Sequence, residues 1–210
     1  MPIAWRDFGT SGGRLGVVGV ADRRCRRAAA PLGKLSTWVK SIHRKPNLFA
    51  RLGEHSPKRL RPRFLENWGK GDLIWVTPAG VEVPGWTPVA DSLRMLPEAL
   101  RGWEVAQVSH YMLRSVESFS LKRGTLSPVA GKDRYTDAYF DRADRNEVED
   151  LTPQRHAAAF DALHAEVMAL PGIARLHHQC CADYVARLAA KAGRAAATDA
   201  RWRHHLARAE

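Results

Sequence analysis

The stretch VAQVSHYMLRSVESFSLKRG, residues 105–124, decides the fold, together with DRYTDAYFDRADRNEVED at 133–150. Residues 105–113 alternate, with Ala106, Val108, His110 and Met112 on one face, and read as a β-strand. Ser115 then caps a short helix, with Val116 and Phe119 one turn apart on its buried side. Residues 124–136 read as a loop. The chain before this stretch is irregular, basic and turn-rich. The chain after it is amphipathic helix.

Downstream, Thr152 suits an N-cap and Pro153 a first turn. Phe160, Leu163, Val167 and Leu170 form an apolar stripe that Pro171-Gly172 ends. Ile173, Leu176, Cys180, Tyr184 and Leu188 form the stripe of a second helix, which Gly193 ends, and 195–210 is a third helix or a frayed tail. Upstream, residues 73–77, a turn at 78–80 and a return at 81–83 predict a hairpin. Leu93, Leu96 and Leu100 carry helical periodicity that Pro97 breaks. Residues 35–45 tilt towards a strand through Thr37, Val39 and Ile42. Residues 48–52 read as a helical turn in a loop, 66–72 as a turn and 15–20 as a short strand. The expected fold is α+β, strands early and helices late, with a first part at 1–150 and a helical segment at 151–210.

The 210 residues suit one domain with a real core. Three cysteines, two of them adjacent at Cys180 and Cys181, give no disulfide framework. Apolar runs are too short to span a bilayer, and the N-terminus lacks the layout of a signal peptide, so a cytoplasmic protein is expected. The net charge of +11 is uneven: residues 1–65 hold 15 Lys and Arg against 3 Asp and Glu. Such a block binds polyanions or phosphorylated substrates, or is simply a solvated basic face.

Four places offer chemistry. His110, at the end of a strand, is a metal ligand, an acid–base group or a buried histidine bonded to a carbonyl. Glu147, Glu149 and Asp150, with Asp141 and Asp144 upstream, supply a base or hold a hard metal, or are an acidic lead into a helix N-terminus. His177 and Cys181 stand four apart on one helical face, a zinc spacing without a second ligand pair. The basic first third, with Trp5, Phe8, Trp38 and Phe49, offers stacking and charge to nucleic acid, without a recognised nucleic-acid motif. Gly9, Gly12 and Gly13 make a glycine-rich opening loop whose spacing matches neither common phosphate-loop pattern.

These residues, in order, carry a resemblance. His110-Tyr111, Arg114-Ser115, Glu117, Phe119 and Lys122 resemble the "HY..KS.eEF..K..RG" signature of family-2-like glycosyltransferases, a group related to the family 92 enzymes. Trp5-Arg6-Asp7-Phe8-Gly9, with Ser11 and Gly12, is similar to their "WR.FG..G" segment. Lys40-Ser41-Ile42 and His55-Ser56-Pro57 are similar to their middle stations, and Tyr139-Phe140 with residues 146–150 to a "Y(F/W)…N..ED" stretch. The matches cover residues 3–155 in the family's order.

The resemblance implies the C-terminal part of a GT-A fold and transfer of a sugar from a nucleotide-sugar donor to a glycan or other acceptor. It implies Mn²⁺ or Mg²⁺ on the diphosphate, with His110 as the candidate ligand, and Glu149 or Asp150 as base. It also implies substrate-binding roles for Trp5, Arg6, Gly9, Gly12, Lys40, Tyr111, Arg114 and Ser115, Lys40 and Arg114 neutralising phosphate. The sequence departs from the family in two ways. It contains no Asp-x-Asp, and the last element is compressed to Lys122-Arg123-Gly124. The expectation is therefore the acceptor-side half of such an enzyme, poorly active by itself. A non-catalytic nucleic-acid or polyanion binder is the alternative.

Overall fold

The structure, a computed structural model, describes residues 1–16, 19, 21–30, 34–68, 70, 73–84, 94–127 and 131–210. In chain order the elements are β1 (Pro2–Asp7), α1 (Ala21–Arg24), β2 (Arg27–Ala28), β3 (Val39–Ser41), β4 (Phe49–Leu52), β5 (Pro57–Leu60), β6 (Val108–His110), α2 (Val116–Ser120), α3 (Asp137–Ala143), β7 (Val148–Glu149), α4 (Ala157–Met168), α5 (Ile173–Lys191) and α6 (Ala200–Ala209). Mixed helices and small sheets make the chain α+β. Packing groups it into two compact units, Met1–Asp7 with Ala29–His110, and Phe8–Ala28 with Tyr111–Glu210. Among the described residues no helix is long and apolar enough to cross a membrane.

The first unit is built on β1. It is the middle strand of three, antiparallel to β3 (Ile3 opposite Lys40) and parallel to β6 (Asp7 opposite His110). Five of its six residues are buried, as a strand covered on both faces requires. Ala4 leaves room for a core of Val39, Leu48, Phe49, Leu60, Trp75, Val83 and Leu96.

The helical turn expected at 48–52 reaches only Leu48: residues 49–52 pair as β4 with β5, Phe49 opposite Leu60, both buried. This cross-strand contact outweighs the local turn tendency. A 3-10 turn at Pro46–Leu48 precedes the hairpin. The hairpin expected at 73–83 is present: Thr77 and Val83 donate through their N–H groups to the carbonyls of Val81 and Trp75. Gly80, at φ +82°, supplies its turn. Residues 34–37 form a 3-10 turn, so the strand expected over 35–45 is confined to β3. The expected strand at 15–20, the turn at 66–72 and the helical period at Leu93 fall partly outside the described residues.

In the second unit Ser115 is the N-cap it was expected to be. Its Oγ accepts from the Ser118 N–H at 3.0 Å. Phe119 is buried, but Val116 is 52% exposed, because the five-residue helix buries only one side chain. Phe119, Leu113, Tyr139 and Ala143 form a small aromatic core with α3. Thr152 heads only a 3-10 turn, and α4 starts later, at Ala157. No residue of α4 is buried: Phe160, Leu163 and Val167 lie outward, as does Leu170 beyond it. The second helix is rotated from the expected stripe. It buries Cys181, Ala182, Val185, Leu188 and Ala189 and leaves Cys180 and Leu176 exposed.

An ion network ties α2 to the start of α6. Arg201 donates to Glu117 at 2.7 Å and to Asp199 at 2.7 Å. Asp199 caps α6 by accepting from the Arg201 N–H at 3.0 Å. The Gly16 N–H donates to Glu117 at 2.6 Å. The Arg201 hydrogen bonds hold both carboxyls below the ordinary range, Asp199 at about 2. A lowered carboxyl stabilises the fold above its unfolded pKa, and that contribution fades as pH falls through the folded value. For this network the loss runs from about pH 4 down to about pH 2. Arg201→Met should cost on the order of 2 kcal/mol at pH 7 in urea unfolding. It should also flatten the acid limb of the stability curve, and an unchanged acid limb would remove the network from the account.

Candidate functional site

Strand alternation selects the site. Side chains of β1 at positions 3, 5 and 7 share one face, and cross-strand partners stand on the same face. Lys40 is opposite Ile3 and His110 opposite Asp7. Trp5, Asp7, Lys40 and His110 therefore meet. Arg6, one position along, stands on the other face, 7% exposed, with its guanidinium 4.3 Å from the Trp103 ring.

The contacts on the Trp5 face are close. The His110 ring stacks on Trp5 with centroids 3.7 Å apart. His55 lies 5.4 Å from Trp5 and 4.9 Å from Trp38. The Lys40 ammonium stands 5.7 Å from the Trp5 ring and donates to the Glu54 carbonyl. The Trp103 indole N–H donates to the Trp5 carbonyl at 3.1 Å, fixing the strand from the other side. His55 Nδ1 bonds the Val39 carbonyl at 2.9 Å, which assigns the proton to Nδ1. Burial pushes the His55 pKa down, favouring the neutral ring.

The pivotal pair is Asp7 and His110. Asp7 is 1% exposed, and its Oδ1 lies 2.8 Å from His110 Nδ1. A carboxylate accepts, so the ring nitrogen facing it, Nδ1, is the one that carries a proton, and Nε2 is the nitrogen left for another partner. Asp7 Oδ2 is buried and has no hydrogen-bond partner among the described residues. Histidines that bind metals commonly donate their second nitrogen to a carboxylate in this way. The pair fits one ligand position of a divalent ion. Among the described residues no group of three or more His, Cys, Asp or Glu side chains is placed to hold one.

The remaining candidate residues belong to the second unit. Gly9 is there for clearance. A Cβ on it would lie 2.4 Å from the Arg145 carbonyl oxygen and 2.4 Å from Asn146 Oδ1. Its loop is held by side chains: Thr10 and Ser11 N–H donate to Asp144 at 2.6 Å and Asn146 at 2.8 Å. Ser11 Oγ accepts from the Arg26 N–H at 2.8 Å. These backbone donors are occupied by side chains, which leaves no phosphate cradle at Thr10 and Ser11. Gly12 turns the loop at φ +77°. Tyr111 packs on Phe8 with ring centroids 4.9 Å apart, Ser115 is a helix cap, and Arg114 is exposed. Glu149 pairs with Arg26 at 3.1 Å, and Asp150 Oδ1 accepts from the Thr152 N–H at 2.9 Å. The HHQCC segment brings His177 Nε2 to 3.5 Å from Cys181 Sγ, and His178 Nδ1 to 2.9 Å from His205 Nδ1.

Trp5, Lys40 and His110 are among the residues expected from the sequence; Asp7 is the one it did not single out. Its signal was present: Asp7 follows Trp5 by two positions, the spacing of one strand face.

Asp7→Ala should switch His110 from the Nδ1-protonated tautomer, read from its ring nitrogen shifts by NMR, while Asp7→Asn, which still accepts, should retain it. The same tautomer in Asp7→Ala would show that another group sets the proton. Gly9→Ala should cost about 3 kcal/mol of stability, because the crowding atoms are mostly backbone and cannot swing away; a melting temperature within error of wild type would disprove the close fit. Compared with known proteins, the chain matches no family model, no curated protein and no solved structure.

Proposed function

We propose that the chain is the acceptor-side part of a GT-A glycosyltransferase resembling family 2, which transfers a sugar from a nucleotide-sugar to an acceptor. One observation carries this reading. Trp5, Lys40, His55 and His110 come from four separated stations of the resemblance, and they gather with Asp7 around one strand. A chance match of short motifs gives no reason for the stations to converge.

In this reading the face receives the diphosphate side of the donor. Lys40 supplies positive charge against the leaving group, where charge develops in the transition state. Trp5 gives His110 a flat support, and Asp7 holds the imidazole through Nδ1, leaving Nε2 as the nitrogen for another partner. A divalent ion, when bound, would neutralise the diphosphate, with His110 as this chain's ligand to it. The resemblance assigns the base to Glu149 or Asp150, the carboxylates that match the family's closing stretch, and both belong to the second unit.

The polyanion reading has less support. Several cations of the basic third are engaged within their own unit: Arg23 with Asp161, Arg26 with Glu149, and Arg27 with the Asn146 carbonyl.

A melting titration with UDP- and GDP-sugars in Mn²⁺ tests the proposal. A donor at ten times its Kd adds about 1.4 kcal/mol, or roughly 3–6 °C for a chain of this size. His110→Ala should remove most of that shift. A panel without any shift, or a shift unaltered in His110→Ala, would sink the assignment. Stabilisation by single-stranded DNA that collapses with salt would favour the polyanion binder instead.

A further inference from the structure

The first unit contains a second feature that the donor face does not use. A cleft of about 580 Å³ opens between the segment after β3 and the hairpin strand at 73–76. Its size falls in the range of small-molecule sites, roughly 300–1,000 Å³. Trp68, Ile42 and Ile74 give it apolar walls, and both isoleucines are exposed there, at 59% and 47%. Exposed branched residues lining a concavity mark a surface that an apolar ligand covers favourably.

The rim has one sign. Arg44 and Lys45 line the cleft, and no carboxylate lines it among the described residues. Neither cation forms an ion pair among the described residues. Lys45 sits at φ +49°, a left-handed conformation that costs a side-chain-bearing residue energy. Beside them His43, packed edge-on against Phe49, has a buried Nδ1 without a hydrogen-bond partner among the described residues. A buried polar atom left unpaired costs stability unless a ligand or water satisfies it.

We infer that this cleft binds a phosphomonoester with an apolar body: the hydrocarbon or ring lies against Ile42, Ile74 and Trp68, and the phosphate meets Arg44 and Lys45. Two neighbouring cations suit the near-dianionic charge of a phosphomonoester better than a single carboxylate charge. If the transferase proposal holds, the ligand is the acceptor. That identification rests on the proposal, whereas the binding does not.

Calorimetric titration with 1-naphthyl phosphate, 1-naphthol, 1-naphthoate and inorganic phosphate tests the inference on the intact chain. The phosphate ester should bind at least about tenfold tighter than each of the other three, one decade being about 1.4 kcal/mol. The double variant Arg44→Gln, Lys45→Gln should lose that advantage and bind naphthol as before. Ile74→Asn should weaken both naphthyl compounds without weakening inorganic phosphate. Equal affinity for the ester and naphthol, equal affinity for the ester and naphthoate, or a double variant that binds like wild type would each overturn the assignment. The donor titration separates the two ideas. Nucleotide-sugar binding without naphthyl phosphate binding rejects the cleft alone, and the reverse rejects the transferase reading alone.

Discussion

A carboxylate taken out of water must find a donor, and Asp7 finds one in the imidazole of His110. That requirement connects sheet register to chemistry. If β6 slipped by one residue, His110 would leave the face of Trp5 and Asp7, and a charge would be stranded in the interior. The 2.8 Å bond, the ring stacking on Trp5 and the parallel pairing of β1 with β6 therefore stand or fall together. The opposite face contributes too, since Trp103 holds the Trp5 carbonyl and Arg6 lies on Trp103.

The two units use polar groups differently. In the first, Lys40 stands over the Trp5 ring, and Arg44 and Lys45 line the cleft. In the second, charge is mostly spent on the fold itself. Arg201 joins Glu117 to Asp199, Asp144 and Asn146 hold the glycine loop, and Ser115 shares its hydroxyl with α2. A partly buried network of this kind fixes how elements meet more than it adds net stability.

Much of this was legible in the sequence, and what was not has physical causes. Ser115 was readable because capping is local chemistry, settled within four residues. The hairpin around Gly80 was readable for the same reason. The β4–β5 hairpin was not, because Phe49 and Leu60 stabilise each other across a gap that no local window weighs. The stripe of Phe160, Leu163 and Val167 was read as a core face by its period. Period reports which residues share a side of a helix, not whether anything covers that side. At the candidate site, the histidine, the tryptophan and the lysine were legible as types. Asp7 was missed because its importance comes from a partner far away in sequence and opposite it in the sheet.

The middle position of β1 also governs how the molecule is assembled. Its antiparallel neighbour follows within the first forty or so residues, but the parallel one is Val108–His110. Closing so long a loop carries an entropic cost that must be met before the pairing gives anything back. On a ribosome, β1 and β3 emerge and pair early, while the imidazole is still unmade. The Asp7 carboxylate then has no imidazole to accept from until β6 completes the three-stranded sheet, so completion of that sheet and pairing of the charge coincide.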